Sequence, residues 1–354
     1  MILAAALFFL TVAFVNALFW PRVRKAGHMA PGGLSVLIPA RNEERNVGEC
    51  LRTILEQGSV VNEVLVYDDH STDSTASIAA ATGDPRVKLL APAELPPGWY
   101  GKTFACARLA ENATHRWLLF LDADVRLEPG ACARMLSEIQ ARRLTFLSCW
   151  PRFEMLTWPE RLMMPMLNFV VFSIFPGPLS LWRGDPSLGL AHGACMMMEC
   201  DAYARVGGHA AVRAEIFEDT RMAQLWRKAG ERGLCLDGSS VLRVRMYASL
   251  FEIRQGFTKN FYLAFHHPLN FWIFLLLHFC VFLLPFLWWN WRAVAVVLAT
   301  RAILAWRFGQ GWWSVVAHPL AEVMVLAIAI GSWRASRSPA GVAWKGRHYP
   351  FSRA

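Results

Sequence analysis

Residues 118–125 place a short apolar run directly before two aspartates, in the order LLFLDADV. Consecutive apolar residues of this number predict a buried strand, and ligands collect at the ends of such strands in an open α/β sheet. Asp122 and Asp124 are two residues apart, so both carboxylates can converge on one ligand where the chain turns. A divalent cation suits two carboxylates because hard cations prefer oxygen ligands. The alternative is an ordinary turn, in which aspartate is common.

The segments on either side alternate between strand and helix patterns. Strands are predicted at residues 34–39, 61–67, 87–90, 117–121, 192–199 and 242–246. Helices are predicted at residues 46–57, 76–81, 104–112, 202–206, 220–229 and 250–260. This alternation indicates an α/β fold with a mostly parallel, Rossmann-like sheet. The polar segments that follow the first, second and fourth strands are therefore expected at one edge of the sheet.

The composition adds membrane segments to this fold. The chain of 354 residues is 55% hydrophobic, which is too apolar for a simple soluble protein, yet its charged fraction of 18% is too high for a pure membrane bundle. Residues 1–20 predict an N-terminal transmembrane helix. A cleaved signal peptide fits less well, because the segment has no basic start. The basic residues Arg22, Arg24 and Lys25 follow it and place the next domain in the cytoplasm.

The C-terminal region, residues 269–333, holds three apolar segments and precedes a basic tail, residues 334–354. A cytoplasmic domain and a cytoplasmic tail require an even number of crossings between them. The segment with Arg301 or the one with His318 is therefore expected to be re-entrant, interfacial or buried in protein. The net charge of +9 lies largely beside apolar segments, which favours membrane orientation and anionic-lipid contact over nucleic-acid binding.

A further apolar stretch, residues 162–182, lies within the α/β region. We expect an interfacial element on the bilayer rather than a membrane span, because four residues interrupt the stretch. These residues are Pro165, Asn168, Pro176 and Pro178.

Six motifs occur in a specific order: IPARNEE, VYDDHSTDST, GWYGKTFA, LFLDADV, AHGACMM and FEDTRMA. In this order, residues 34–260 resemble the inverting family-2 glycosyltransferases, which have the GT-A nucleotide-diphospho-sugar transferase fold. The flanking membrane segments and residues 254–260 resemble a bacterial subgroup that includes hopene-associated and carotenoid-type lipid glycosyltransferases. The resemblance implies a metal-dependent hexosyltransferase of the cytoplasmic membrane, multi-pass, with its catalytic domain in the cytoplasm.

The resemblance also implies a binding site for the nucleotide. Asp69 would accept a hydrogen bond from the uracil ring, with Pro39, Ala40 and Glu43 on the opposite wall. Lys102 would approach the nucleotide or diphosphate as a point charge. The alternatives are a helix cap for Asp69, a solvated first turn for Glu43 and a surface position for Lys102.

The remaining implied roles concern the sugar and the reaction. Asp122 would face ribose or sugar hydroxyls, and Asp124, with Asp122 beside it, would hold Mg²⁺ or Mn²⁺ against the diphosphate. Asp219 would be the base that deprotonates the acceptor, and repulsion by Glu218 would raise its pKa. The alternative for Asp219 is a helix cap.

Arg254 and Lys259 would neutralise the diphosphate, or else form a solvated basic face. The Gln-x-x-Arg-Trp sequence of processive sugar polymerases is absent, which favours transfer of a single sugar. His192, His209 and Trp99 are interpreted as packing or loop residues.

The implied partners are a UDP-sugar donor, a membrane lipid acceptor such as a hopanoid or carotenoid, and the bilayer, with no nucleic acid. Two other functions fit the same residues. One is sugar transfer to a polyprenyl phosphate, and the other is a non-catalytic membrane scaffold that binds nucleotide.

Overall fold

The structure is a computed structural model that describes residues 1–24, 27–265 and 267–337, with the backbone of residues 342–344 and 347–349. Lys25 and most of the predicted basic tail lie outside the described residues. The chain forms two compact units. We call them the sheet unit, made of Pro21–Glu154 and Leu179–Met246, and the helical unit, made of Met1–Trp20, Met155–Pro178 and Tyr247–Ala354.

The strands and helices are numbered along the whole chain. The strands are β1 (Leu34–Ala40), β2 (Glu63–Asp68), β3 (Val87–Leu90), β4 (Trp117–Leu121), β5 (Val125–Leu127), β6 (Phe146–Trp150), β7 (Arg152–Phe153), β8 (Cys195–Glu199), β9 (Gly233–Asp237), β10 (Leu242–Val244), β11 (Val342–Trp344) and β12 (Arg347–Tyr349). The helices are α1 (Ile2–Phe19), α2 (Val47–Leu55), α3 (Thr75–Ala80), α4 (Gly101–Asn112), α5 (Ala131–Arg142), α6 (Trp158–Ile174), α7 (Cys200–Val206), α8 (Glu218–Lys228), α9 (Leu250–Asn260), α10 (Pro268–Leu277), α11 (Leu284–Leu287), α12 (Trp291–Arg307), α13 (Trp313–Val316) and α14 (His318–Ala335).

A seven-stranded sheet organises the sheet unit, in the order β3-β2-β1-β4-β8-β6-β9. Every neighbouring pair is parallel except for β8, which runs antiparallel to both β4 and β6. The prediction of a mostly parallel α/β sheet is therefore confirmed. The carboxyl ends of β1, β2 and β4 lie at the same edge, because these three strands are adjacent and parallel.

Strand β4 is buried on both faces, which explains its unbroken apolar sequence. Leu118 and Phe120 pack into the core cluster on one side of the sheet, and Leu119 and Leu121 pack into the cluster on the other. This burial fixes the register of the strand, since a shift by one residue would exchange the two sets of side chains. The aspartates that follow β4 are therefore held at a defined place on the sheet edge.

In the helical unit, α6 continues through Pro165 and Asn168 and ends at Ile174, before Pro176. The expectation that the first two of these residues break the apolar stretch is wrong. Pro165 deprives the helix of one N–H donor, but packing of the apolar face stabilises the helix across that position. The start is stabilised by a capping box between Thr157 and Glu160.

Two helical segments in the described part of the chain are long and apolar enough to cross a membrane: Ile2–Phe19 and Pro268–Leu287. The first agrees with the predicted N-terminal helix in position and length. Only one of these segments, Pro268–Leu287, follows the sheet unit in the described part of the chain. The predicted cytoplasmic tail would need an even number of crossings between the sheet unit and the tail. The predicted multi-pass arrangement is therefore not supported.

The polar residues of the last two apolar segments are buried inside the helical unit. Arg301 on α12 is fully buried, and its guanidinium donates to the carbonyl oxygens of Pro165 at 3.1 Å and Ser314 at 3.4 Å. Its charged carbon lies 5.4 Å from the centre of the Phe169 ring. Of the three predicted alternatives for this segment, burial in protein thus describes its charged residue.

Glu322 on α14 is also buried, and its negative charge acts on Arg301. One carboxylate oxygen of Glu322 lies 2.7 Å from Nδ1 of His278, which is also fully buried. His318, at the start of α14, has no exposed surface, and its Nε2 lies 3.3 Å from the carbonyl oxygen of Phe282. These contacts supply polar partners that lipid does not offer.

Replacement of Arg301 by Met is expected to lower the stability of the protein by about 3 kcal/mol, because it removes a buried guanidinium that donates to the carbonyl oxygens of Pro165 and Ser314 and a positive charge that acts on the buried Glu322. The measurement is the thermal unfolding of the purified full chain in detergent micelles. Arg292→Met is the matched control, since Arg292 is exposed on the same helix. Equal unfolding temperatures for the two variants would contradict a structural role for Arg301.

Candidate active site

The ends of β1 and β2 form one side of the candidate site. The parallel register sets Pro39 opposite Tyr67 and Ala40 opposite Asp68. The backbone N–H of Asp69 donates to the carbonyl oxygen of Ala40 at 2.8 Å, and the Asp69 side chain is buried. The structure thus brings Pro39, Ala40 and Asp69 together, as expected, and their contact with a nucleotide stays a prediction.

The loops after β1 and β2 are joined to one another. The Arg41 side chain donates to the carbonyl oxygen of Asp69, and the backbone N–H of Glu43 donates to Oγ1 of Thr75 at 2.7 Å. The Glu43 carboxylate accepts from the side-chain amide of Asn46 at 2.9 Å. Glu43 therefore lies in the loop before α2, half-buried and on the same edge as Asp69, and its contact with a ribose stays a prediction.

Lys102 joins the carboxylates at the centre of the site. Its Nζ lies 2.8 Å and 3.1 Å from the two oxygens of Asp122 and 3.1 Å from a carboxylate oxygen of Glu218. Because α4 begins at Gly101, three residues before the predicted start, Lys102 sits in the first turn of a helix and not in the preceding loop. The interpretation of Lys102 as a plain surface residue is wrong.

The charge of Lys102 is stabilised by these carboxylates. Loss of hydration disfavours the ammonium ion, but the negative charges of Asp122 and Glu218 outweigh that effect and raise the pKa of Lys102 well above its ordinary value. The Lys102 side chain is 38% exposed and that of Asp122 31%, so the pair is still accessible to a ligand. An anionic ligand can therefore meet a permanent positive charge here.

Asp219 lies in the first turn of α8 and is held by two backbone N–H groups. Gly193 donates to its Oδ2 at 2.7 Å, and Thr220 donates to its Oδ1 at 2.6 Å. The residue that precedes the helix is Phe217, so the interpretation of Asp219 as the helix cap is wrong. Loss of hydration, and then repulsion by Glu218, raise the pKa of Asp219 to about 7.

Gly193 permits this arrangement because it has no side chain. A Cβ atom at this position would lie 3.2 Å from Oδ2 of Asp219 and 3.3 Å from Nζ of Lys102. Gly193 and Glu218 therefore belong to the site, although the motifs do not single out either as a ligand. The sequence signals are a glycine directly before an apolar strand and two adjacent acidic residues before a helix.

Asp124 lies in the turn between β4 and β5, two residues beyond Asp122. Among the residues that the structure describes, no set of three or more His, Cys, Asp or Glu side chains is placed to hold a metal ion. Asp122 is engaged by Lys102. A cation here would depend on Asp124, phosphate oxygens and water, which is the mixed ligand set that Mg²⁺ uses in nucleotide sites. The donor atoms fit a metal that arrives with a diphosphate.

Arg254 and Lys259 lie on α9, in the helical unit. Arg254 is exposed and Lys259 is half-buried. Five residues along a helix correspond to a rotation of about 140°, so the two side chains leave α9 in different directions. Their joint contact with a diphosphate stays a prediction.

Two of the residues interpreted as packing residues are confirmed as such. His209 is 1% exposed, and its Nδ1 lies 2.8 Å from the hydroxyl of Tyr203. The Trp99 ring packs edge-on against Phe104 with ring centres 5.7 Å apart. These contacts account for both side chains within the core.

The sequence model of one family, "Glycosyl transferase family 2", matches residues 35–207. The match includes Asp69 after β2, Asp122 and Asp124 after β4, and the helix that carries Lys102. This chain carries a family-2 glycosyltransferase domain. The mixed α/β architecture with its central sheet is that of the GT-A fold, which is confirmed.

Two similar proteins align with nearly the whole chain. One is the 4,4'-diaponeurosporenoate glycosyltransferase of Staphylococcus aureus (strain MRSA252), which is 26% identical over 349 residues, or 90% of this chain and 89% of that protein. The other is the mannosyltransferase PcManGT from Pyrobaculum calidifontis, solved in complex with GDP-Man and Mn²⁺. Its TM-score is 0.53 at 18% identity, with 94% of this chain and 98% of that chain covered.

The raised pKa of Asp219 predicts a pH-dependent stability of the glycosyltransferase. The folded state holds the proton of Asp219 more tightly than the unfolded state, so this group lowers stability as the pH rises from about 4 to about 7. Asp219→Asn should flatten the pH dependence of the unfolding temperature in this window, and Glu218→Gln should reduce it. Asp201→Asn, an exposed change in the same unit, is the control. A profile for Asp219→Asn that follows wild type would contradict the shift.

Proposed function

We propose that this glycosyltransferase transfers a single sugar, with inversion, from a UDP-sugar to the hydroxyl or carboxyl group of a membrane lipid at the cytoplasmic face. The observation that carries the proposal is the arrangement at the sheet edge. There, Lys102 pairs with Asp122 and Glu218, and Asp219 is held on the N–H of Gly193. A cation and a carboxylate of raised pKa thus lie beside the ends of the strands, which supports binding of a donor at this edge.

Asp219 has the properties of a general base for an acceptor hydroxyl. A carboxylate with a pKa near 7 accepts a proton more readily than an ordinary aspartate and is still half ionised at neutral pH. In the transfer, the acceptor O–H proton goes to Asp219 while the acceptor oxygen bonds to the sugar C1. The bond from C1 to the diphosphate oxygen breaks, and UDP leaves with that electron pair.

The leaving diphosphate carries negative charge that this chain can neutralise. Lys102 supplies one permanent positive charge near Asp122. Asp124 would hold Mg²⁺ or Mn²⁺, which as a Lewis acid would stabilise the departing diphosphate. The complex of PcManGT contains Mn²⁺ with its sugar nucleotide, which supports a metal-dependent reaction in this fold.

The nucleotide pocket would lie between the ends of β1 and β2. Asp69 is buried beside Ala40, where its carboxylate can accept from the N3–H of uracil. A guanine base offers a different set of donors and acceptors, so a comparison of UDP-sugars with GDP-mannose tests the assignment.

A lipid acceptor is supported by the S. aureus relative, which is named for the carotenoid that it glycosylates. The two candidate membrane helices also expose large apolar side chains, including Phe8 at 61%, Phe19 at 62% and Leu276 at 65%. Exposed apolar surface on helices of this length suits contact with lipid. We place the chain in the cytoplasmic membrane, with its glycosyltransferase domain in the cytoplasm.

The test is incubation of membranes that contain the protein with labelled UDP-glucose, UDP-N-acetylglucosamine or GDP-mannose and Mn²⁺, followed by mass spectrometry of the labelled lipids. We expect one UDP-sugar to label a neutral or acidic lipid. Asp219→Asn should lower the rate at least 100-fold without loss of UDP affinity, because it removes the base and retains the shape. Asp201→Asn is expected to behave as wild type.

For a hydroxyl acceptor, kcat/KM should fall about tenfold for each pH unit below 7, since Asp219 must be ionised to accept the proton. Glu218→Gln should move this fall to lower pH by removing the repulsion that raises the pKa. Label on a polyprenyl phosphate would favour that runner-up acceptor. Metal-dependent UDP binding without any labelled product would contradict the proposed transfer and favour a non-catalytic scaffold.

A further inference from the structure

A groove of about 480 Å³ lies in the sheet unit, and its volume is within the range of small-molecule sites. Strand β6 runs in the same direction as β4, because both are antiparallel to β8, and β9 is parallel to β6. The groove is at the amino ends of β6 and β9, whereas Asp122 follows the carboxyl end of β4, so the groove and the candidate active site are at opposite edges of the sheet. We call it the arginine groove, and the residues that define it are Arg142, Arg143, Leu181, Trp182, Arg232 and Leu234.

Two arginines of the groove are exposed and carry unpaired charge. Among the described residues, neither the Arg143 nor the Arg232 guanidinium has a hydrogen-bond or ion-pair partner. The carbonyl oxygen of Arg232 accepts from the backbone N–H groups of Thr145 at 3.0 Å and Phe146 at 3.2 Å. Because these bonds join the residue before β9 to the start of β6, Arg232 lies beside the segment that begins at Arg143. The groove therefore offers positive charge to an anionic ligand.

Two acidic residues neighbour the groove along the chain, and both are already paired. A carboxylate oxygen of Glu138 lies 2.6 Å from Nε of Arg142, and a carboxylate oxygen of Glu231 lies 2.7 Å from a guanidinium nitrogen of Arg205. The carboxyl end of α5 adds a partial negative charge of about half an elementary charge. The two exposed guanidinium groups exceed that partial charge, so the net charge at the groove is positive.

One wall of the groove is apolar and is held in place by a buried arginine. The guanidinium of Arg227 donates to the carbonyl oxygens of Ser180 at 3.0 Å and Arg183 at 2.7 Å. It also donates to the carbonyl oxygen of Gly233, the first residue of β9, at 3.0 Å. Arg227 thus ties the segment that carries Trp182 to the strand at the base of the groove. The Trp182 side chain itself is 81% exposed.

The combination of arginine and tryptophan indicates the chemistry of the ligand. Guanidinium groups bind phosphate oxygens through paired N–H donors. An indole lies favourably at the headgroup level of a bilayer, where it meets both apolar and polar surroundings. A soluble phosphate would use the arginines and leave the indole without a contact, whereas a phospholipid would use both. An anionic phospholipid fits better than a zwitterionic one, because the cationic group of the latter would be repelled by the same arginines.

We propose that the arginine groove binds the phosphate of an anionic membrane phospholipid, with Arg143 and Arg232 donating to the phosphate oxygens and Trp182 in the headgroup layer. The proposal uses the proposed membrane location but does not depend on the proposed sugar transfer. A lipid in this groove attaches the sheet unit to the membrane surface by the sheet edge opposite to Asp122.

The experiment is a titration of the purified full chain in detergent with 1-palmitoyl-2-oleoyl phosphatidylglycerol or with phosphatidylcholine of the same acyl chains, followed by native mass spectrometry. We expect the first phosphatidylglycerol to bind at least fivefold more tightly than the first phosphatidylcholine. The double variant Arg143→Gln, Arg232→Gln should lower the affinity for phosphatidylglycerol roughly 25-fold, about fivefold for each arginine. Its affinity for phosphatidylcholine should stay at the wild-type value.

The matched control removes the same charge from other surface positions of the sheet unit. Arg52 and Arg108 lie on α2 and α4, in exposed ion pairs with Glu49 and Glu111. The double variant Arg52→Gln, Arg108→Gln should bind phosphatidylglycerol within about twofold of wild type. The unfolding temperature of each variant without lipid reports whether it is folded, and the single variant Arg232→Gln, with an expected loss of about fivefold, serves if the double variant is not.

A third variant separates a lipid from a soluble anion. Trp182→Ser should weaken binding of phosphatidylglycerol about fivefold, because it removes apolar surface from the headgroup layer. Inorganic phosphate in excess should not displace the lipid from wild type.

Three results would overturn the proposal. Equal affinities of wild type for the two lipids would exclude selection of an anionic headgroup. An equal loss in the control variant would assign the binding to overall charge and not to the groove. Displacement by inorganic phosphate, with no effect of Trp182→Ser, would identify a soluble anion as the ligand. None of these results bears on sugar transfer, and a failure of sugar transfer would leave the lipid titration unchanged.

Discussion

The ion pairs of Lys102 are the interaction on which the rest of the site depends. Asp122 and Glu218 approach the same lysine nitrogen from different segments of the chain. Without that charge, carboxylates brought together on one sheet edge would repel one another in a site that is partly withdrawn from water. The lysine reduces that repulsion for Asp122 and Glu218, with which it pairs, and its accessible surface leaves a positive charge for an anionic ligand. Lys102 thus holds two carboxylates in place and also offers a positive charge to a ligand.

The sheet provides the rigid frame for these charges. β4 is buried on both faces and lies between β1 and the antiparallel β8, so the position of Asp122 is set by core packing and not by the turn that carries it. The backbone N–H of Asp122 donates to the carbonyl oxygen of Ala194, which ties the end of β4 to the segment that holds Asp219. The nucleotide side and the base side of the site are thereby joined through the backbone.

The sequence predicts the first four strands and the edge that carries Asp69, Asp122 and Asp124, because apolar runs and their polar ends are local signals. It does not predict the contacts that arise between distant segments. The bond from Gly193 to Asp219 spans 26 residues and depends on the placement of α8 against the start of β8. The pairing of Lys102 with Glu218 needs α4 to begin one turn early. The burial of Arg301 likewise depends on contacts with other segments of the chain. The hydropathy of α12 alone shows only that a charged residue interrupts an apolar segment.

The burial of Arg301 and Glu322 has a consequence for how the protein is made. A single arginine or aspartate at the centre of a lipid-exposed helix opposes insertion by about 3 kcal/mol. Insertion of α12 alone or of α14 alone into lipid is therefore unfavourable. If both helices leave the insertion machinery together, the two charged side chains can be buried within the helical unit, and lipid meets only the apolar faces of the helices. Because α12 is synthesised before α14, correct folding would then require that α12 stays out of lipid until α14 has been made.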